Sequence, residues 1–292
     1  MIDASADSGS SAAVAGELRR LDAALAERGL ARSRSHAAAL IADGLVFVDE
    51  RPVTKASAKV APSQSLRVEG ADHYVSRAAH KLLAALDGFD IDPAGRVALD
   101  VGASTGGFTQ VLLERGAREV IALDVGHGQL AGPIRADSRV TVIEGFNARE
   151  LSRDNLAEVV QDSASRASGS PASQPFELPT LVVGDLSFIS LTLVLPALVA
   201  TCGPDADYVL LIKPQFEVGR GGVREGIVRD AGLRREAIST VLWAAHDAGL
   251  ATAGLVPSPI AGGSGNREYL AWFNRVHGAL PTEWDERIEA ML

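Results

Sequence analysis

The chain has 292 residues, 47% of them hydrophobic, and a formal net charge of −9. That length suits two compact units better than one and leaves ample material for a core, while the acidic balance speaks against a molecule that coats nucleic acid over its whole surface. One cysteine, Cys202, excludes an intramolecular disulfide and a cysteine-based zinc site, and the six histidines have no metal-ligand spacing; such usage fits a reducing, cytoplasmic setting and no metal.

Residues 1–16 are small and polar, without periodicity, and are expected to be disordered. They lack the basic start and apolar core of a secretory signal. Residues 17–70 read as a small α+β domain. A helix is expected from Glu17, with Leu18, Leu21 and Leu25 on one face and Gly29 ending it. A second helix follows, capped by Ser33 or Ser35, with Ala38, Leu40 and Ile41 as its apolar face. Short strands at Leu45–Val48 and Leu66–Val68 flank an Asp49-Glu50-Arg51-Pro52 turn. From Glu17 to Gly70, nine Arg and Lys residues outnumber seven Asp and Glu residues, a modest local excess that includes Arg19, Arg20, Arg32 and Arg34.

Residues 71–76 form a connector to the second domain, 77–292. A helix is expected over Arg77–Leu86, then alternation sets in. Strands are predicted at Val97–Val101, Val120–Asp124, Val140–Glu144, Leu181–Asp185 and Tyr208–Lys213, and a last pair at Gly254–Pro257 and Glu268–Phe273. Helices are predicted at Gly107–Arg115, Leu151–Val160 and Arg234–Ala248. Strands separated by helices imply a Rossmann-like α/β fold, mostly parallel, with both sheet faces covered. The Ser/Ala/Pro-rich stretch 162–174 reads as a flexible surface insertion. Leu181–Ala200 is the most membrane-like stretch, but Asp185, Ser187, Ser190 and Pro196 make it strand, turn and helix rather than a span.

The sharpest motif is Asp100-Val101-Gly102-Ala103-Ser104-Thr105-Gly106-Gly107-Phe108, which leaves a strand and opens a helix. Glycines there let backbone turn tightly and approach a ligand. A plain turn and a dinucleotide loop are the competing readings. The spacing is not G-x-G-x-x-G, and an acid ahead of the loop is awkward beside a pyrophosphate. Asp100 suits instead the ammonium of the methionine part of S-adenosylmethionine. Asp124, 24 residues on at the next strand end, is placed for the ribose hydroxyls, and Asn147 for the adenine. Asp185 and Lys213 each end an apolar strand, where open parallel sheets bind ligands. Glu268 opens the last strand and reaches the same rim. The plainer alternative has Lys213 snorkelling to solvent and Asp185 capping a turn.

The stretches Arg20-Leu21-Asp22, Gly29 to Arg34, Val75 to Leu82, Asp100 to Thr109, Asp185 to Ser190, Lys213 to Gly219 and Ser264 to Tyr269 resemble the TlyA family of ribosomal RNA ribose 2′-O-methyltransferases, also known under the name haemolysin A. The resemblance implies an RNA-binding domain first seen in a ribosomal small-subunit protein, followed by an FtsJ-like catalytic domain. It implies a Lys-Asp-Lys-Glu tetrad at Lys81, Asp185, Lys213 and Glu268; Lys81 enters by this route alone. It also implies S-adenosylmethionine as methyl donor and, as substrate, cytidine ribose in 16S rRNA, 23S rRNA or both, on ribosomal subunits. The chain departs from the family at Tyr74, where a tryptophan is expected, and in the length of the 162–174 insertion. Two other readings are a non-enzymatic RNA-binding assembly factor and a membrane-active haemolysin. The intact tetrad and glycine loop oppose the first. The lack of a spanning pattern opposes the second.

Overall fold

The computed structural model describes residues 18–31, 33–68, 73–168, 176–262 and 265–292. The chain divides into two compact units, one running to His73 and one from Tyr74 to Leu292.

In the first unit, β1 (Arg19–Arg20) leads into α1 (Leu21–Glu27) and α2 (Arg34–Ala42). Four short strands follow: β2 (Val46–Val48), β3 (Arg51–Pro52), β4 (Lys59–Val60) and β5 (Leu66–Val68). Leu21, Leu25, Ala37, Ile41 and Val46 are fully buried and form its core. Ser33 caps α2 by accepting from His36 N at 3.1 Å. The expected helix start at Glu17 is corrected: Arg19 and Arg20 are extended and pair antiparallel with Val60 and Lys59. A partner forty residues away therefore overrides helical periodicity, and Leu18 is exposed rather than part of the core.

The second unit opens with α3 (Ala79–Phe89), then β6 (Val97–Val101), α4 (Gly107–Glu114), β7 (Glu119–Asp124), α5 (Gly132–Arg135), β8 (Val140–Glu144) and α6 (Arg153–Ser168). After these come β9 (Leu181–Gly184), α7 (Leu195–Cys202), β10 (Asp207–Ile212), α8 (Pro214–Glu217), α9 (Ala231–Asp247), β11 (Ala251–Pro257), β12 (Tyr269–Asn274) and α10 (Asp285–Met291). Residues 162–168 thus continue α6 instead of forming loop, in keeping with the good helix formers Gln161, Ala164, Arg166 and Ala167. The remaining positions of the expected insertion, 169–174, lie outside the described residues, as do residues 1–17 and Arg32.

The seven strands form one sheet in the order β11-β12-β10-β9-β6-β7-β8. Pairing is parallel from β8 to β10, and β12 runs antiparallel to both β10 and β11. Side chains alternate between faces along each strand. Leu99, Val182 and Leu210 enter one core, and Ala98, Val183 and Val209 enter the other. The strand order reverses between β6 and β9, and the crevice beyond their carboxyl ends is the expected ligand position in such a sheet.

Candidate active site

Four elements deliver charge to that crevice. β9 ends at Gly184, directly before Asp185, and β10 ends at Ile212, directly before Lys213. Leu210 pairs with Gly184 in the sheet, so the two ends are neighbours. Because β12 is antiparallel, its start rather than its end lies at this edge; Ile212 pairs with Tyr269, which brings Glu268 beside Lys213. Lys81 comes from α3, whose first turn abuts the glycine loop. A Cβ on Gly107 would lie 2.8 Å from Ser76 Cβ and 3.3 Å from Ala79 N, so no larger residue fits there without displacement.

The four side chains form one ionic chain. Lys81 Nζ lies 2.7 Å from Glu268 Oε2 and 3.3 Å from Asp185 Oδ2, and Lys213 Nζ lies 2.6 Å from Asp185 Oδ1. Lys213 also donates to Ser187 Oγ at 2.8 Å. Gln215 Nε2 donates to Glu268 Oε1 at 3.4 Å. The side chains of Lys81 and Lys213 are 8% and 9% exposed, Asp185 16% and Glu268 2%. Two anions and two cations so nearly removed from water are tolerable only because each has a partner.

Next to this cluster a cleft of about 510 Å³ is lined by Gly102, Ser104, Asp124, Asn147, Asp185, Ser187 and their apolar neighbours Val125, Phe146, Leu186 and Ile189. A smaller recess of about 170 Å³ is lined by Ser76, Gly102, Ser104, Phe108, Asp185, Ser187 and Lys213. Gly102, Ser104, Asp185 and Ser187 border both cavities. Gly102 has φ 82°, and a Cβ there would come within 3.2 Å of Leu186 Cδ2 and 3.4 Å of Asp185 O; the cleft floor therefore requires glycine. Asp124 is held rigidly, accepting from Ser104 N at 2.8 Å and Gly126 N at 2.7 Å. Asn147 caps a short turn by accepting from Arg149 N at 3.1 Å and still lines the cleft.

Other expected positions stand elsewhere. Asp100 lies between Leu99 and Val101 on β6, so alternation turns its side chain toward α4, where Thr109 Oγ1 donates to Oδ2 at 2.6 Å. It is 1% exposed, and burial, with repulsion from Asp185 and Asp124, pushes its carboxyl up to about 7 against a usual value of 3.8. Gly106 caps α4 and faces Leu130 and Ile134, and Phe108 is 3% exposed in the core beneath the recess. Three side chains were not foreseen from spacing. Ser187 sits two positions beyond Asp185 and touches Lys213. Phe188 has φ 64° and is 92% exposed, with its ring 5.3 Å from that of Phe216. Gln129 lines the cleft 3.3 Å from Ser104 Oγ. An aromatic residue three positions after a charged strand end was the available signal for Phe188.

In the first unit, Arg20 pairs with Asp22 at 2.8 Å and Arg34 with the same oxygen at 3.4 Å, so one carboxylate gathers two guanidinium groups. Asp22 is held down to about 2, chiefly by its hydrogen bonds from Arg20. Arg19 pairs with Glu27 at 2.5 Å. All three arginines remain substantially exposed.

Residues 74–275 match the FtsJ-like methyltransferase family and residues 19–66 match the S4 domain. The first match takes in well over half of the chain, which belongs to the FtsJ-like methyltransferases. Within them it stands with the TlyA proteins. It is 47% identical to the 16S/23S rRNA (cytidine-2′-O)-methyltransferase TlyA of Mycobacterium tuberculosis strain H37Rv, over 93% of this chain and 92% of that one. It is 40% identical to Hemolysin A of Brachyspira hyodysenteriae, over 87% of this chain and 99% of that one. A Streptococcus thermophilus protein solved under a hemolysin designation shares the fold with a TM-score of 0.70 and 34% identity, covering 94% of this chain and 95% of that one. Among the described residues no helix is long and apolar enough to cross a membrane.

Proposed function

We propose that the chain methylates ribose 2′-hydroxyls of cytidine in ribosomal RNA, using S-adenosylmethionine as donor. One observation carries this reading: Lys213 Nζ, 2.6 Å from Asp185 Oδ1, borders the recess that adjoins the Asp124 cleft. A proton-handling group and a nucleoside-sized cleft thus share one wall.

The cleft suits the adenosine part of the donor. Asp124, fixed by two backbone N–H groups, faces it with a carboxylate able to accept from two ribose hydroxyls. Val125, Phe146, Leu186 and Ile189 supply apolar flanks for a purine, with Asn147 at the edge. Gly102 and Ser104 bring backbone close to where the methionine part would lie, and Phe108 supports that loop from below. Asp100 acts from behind the loop, holding α4 through Thr109. When bound, S-adenosylmethionine supplies an electrophilic methyl group on a sulfonium sulfur.

Lys213 donates one of its three N–H groups to Ser187 Oγ and is ion-paired with Asp185 Oδ1 at 2.6 Å. A remaining N–H is available to a ribose 2′-oxygen in the recess, where a cationic donor lowers the cost of charge on that oxygen as its proton passes to water. Asp185 orients Lys213 and Lys81 together, and Glu268 holds Lys81 from its other side. Phe188 and Phe216 offer an exposed aromatic face at the mouth on which an unstacked base packs.

The S4 unit supplies the docking surface. Arg19, Arg20 and Arg34, with Arg32 of the same segment, contact phosphates and position the RNA without reading its sequence. This reading places the protein with ribosomal subunits in the cytoplasm. The test is transfer of labelled methyl from S-adenosylmethionine to subunits lacking the modification, followed by mapping of ribose methylation. Incorporation at cytidine that disappears in Lys213→Ala, while that variant still binds the donor, is the expected result. No incorporation by the folded wild type on either subunit refutes the proposal.

A further inference from the structure

Glu217 is a carboxylate that the chemistry above leaves unused. It closes the single turn of α8, four residues after Lys213. Its Oε2 accepts from Ser190 Oγ at 2.5 Å and its Oε1 from Leu191 N at 2.9 Å. No ion pair to it occurs among the described residues, and burial raises its pKa above the ordinary glutamate range. Ser190 in turn caps the short turn Leu191–Leu193, accepting from Thr192 N at 3.1 Å. A largely buried carboxylate without a cation is a poor choice if stability alone is served.

Its placement explains the choice. The segment from Asp185 to Ser190 carries Asp185, Ser187 and Phe188, and it forms one wall of the cleft with Leu186 and Ile189. It contains a non-glycine residue in left-handed conformation, Phe188, so it does not hold its shape by backbone preference. Lys213 fixes its beginning through Asp185 and Ser187. Glu217 fixes its end through Ser190 and Leu191. Both ties come from the five residues 213–217, so α8 braces the whole segment against the end of β10. Charge-assisted acceptance by a carboxylate is the stronger form of such a tie.

We propose that Glu217 is a positioning residue for methyl transfer: it clamps the far end of the Asp185–Ser190 segment so that Asp185 and Ser187 stay aligned on Lys213. The inference rests on the methyl-transfer reading of Lys213 and Asp185. A reacting group displaced by about 1 Å costs on the order of 100-fold in rate, so loss of the clamp should be felt mainly in turnover.

The test compares wild type, Glu217→Ala, Glu217→Gln, Ser190→Ala and the Glu217→Ala/Ser190→Ala double variant. The substrate is unmodified ribosomal subunits with labelled S-adenosylmethionine; kcat, KM for subunits and thermal midpoint are recorded for each. Glu217→Ala should lower kcat by about 10- to 100-fold, with a much smaller change in KM. Glu217→Gln should recover most of the loss, since its carbonyl still accepts from Leu191 N and its amide meets Ser190 with donor and acceptor exchanged. The double variant should be no slower than Glu217→Ala, because both changes cut one tie. Wild-type kcat in folded Glu217→Ala, failure of glutamine to restore turnover, or additive losses in the double variant would each overturn the proposal. If Glu217→Ala does not fold, Ser190→Ala decides: a severalfold lower kcat supports the clamp, and unchanged kcat refutes it. Inactive wild type would instead refute the methyl-transfer reading itself.

Discussion

Replacing Lys81 by methionine separates the two roles that a buried lysine between two acids combines. Lys81 Nζ lies 2.7 Å from Glu268 and 3.3 Å from Asp185, with its side chain 8% exposed and that of Glu268 2% exposed. Methionine keeps most of the volume and removes the charge. Asp185 retains Lys213 at 2.6 Å, but Glu268 is left with only a long amide contact to Gln215. Removing one partner of a buried pair costs about 3–5 kcal/mol, because the remaining charge is stranded away from water. At about 2–4 °C per kcal/mol for a unit of this size, the thermal midpoint should fall by about 6–20 °C. Adding Glu268→Gln removes the stranded charge, and most of that loss should return. Activity should not return with it, since the double variant has lost both the cation beside Asp185 and the anion behind it. Scanning calorimetry and methyl transfer to ribosomal subunits, run on wild type, both single variants and the double variant, decide the matter. A Lys81→Met protein as stable as wild type would refute the stranded-charge reasoning. A double variant with restored transfer would show that the pair only fills space.

Asp124→Ala should raise the dissociation constant for S-adenosylmethionine at least about tenfold, the equivalent of one charge-assisted hydrogen bond; equilibrium dialysis measures this, and unchanged affinity removes Asp124 from the cleft's function. Asp100→Asn tests the buried carboxyl pushed up to about 7. A raised carboxyl favours folding while protonated, a contribution complete below about pH 4 and lost as pH rises through about 7, so wild type should lose up to about 4 kcal/mol relative to Asp100→Asn across that window. Denaturant unfolding of both proteins at several pH values reads the difference, and parallel curves would contradict it. Phe188→Ala should lower affinity for RNA by about 1–3 kcal/mol, the worth of one base stacked on an aromatic ring, and leave the thermal midpoint unchanged because the ring is 92% exposed; unchanged RNA binding would remove Phe188 from the substrate surface.

Much of the site was legible because parallel strands buried on both faces read as apolar runs, so a charge that ends a run marks the ligand edge. Asp124, Asp185 and Lys213 were found in this way, and Glu268 by opening the last strand. Asp100 belonged to the same pattern, yet its position one residue before the strand end turns it under α4, where Thr109 takes it. Strand-end counting gives the edge but not the face. Lys81 carried no signal of its own: it lies on an ordinary amphipathic helix, and only the docking of that helix's first turn on the glycine loop makes it part of the site. Arg19 and Arg20 followed helical periodicity in sequence but pair as a strand, since the decisive partners, Lys59 and Val60, are distant along the chain.

The antiparallel strand has a consequence for how the site comes into being. Were β12 parallel to β10, Glu268 would stand at the opposite edge of the sheet, roughly 20 Å away by strand length. Lys81 would then face Asp185 alone while Lys213 already neutralises it. The reversed strand therefore balances the cluster at two anions and two cations. Each of the four comes from a different element: α3, the end of β9, the end of β10 and the start of β12. No subset of these elements satisfies all four charges, so the cluster is assembled only when the sheet closes on its β12 side. Ionic groups this deeply buried would oppose partial structures in which any partner is missing. The same charges that make the edge chemically useful thus penalise incompletely folded forms of the catalytic unit.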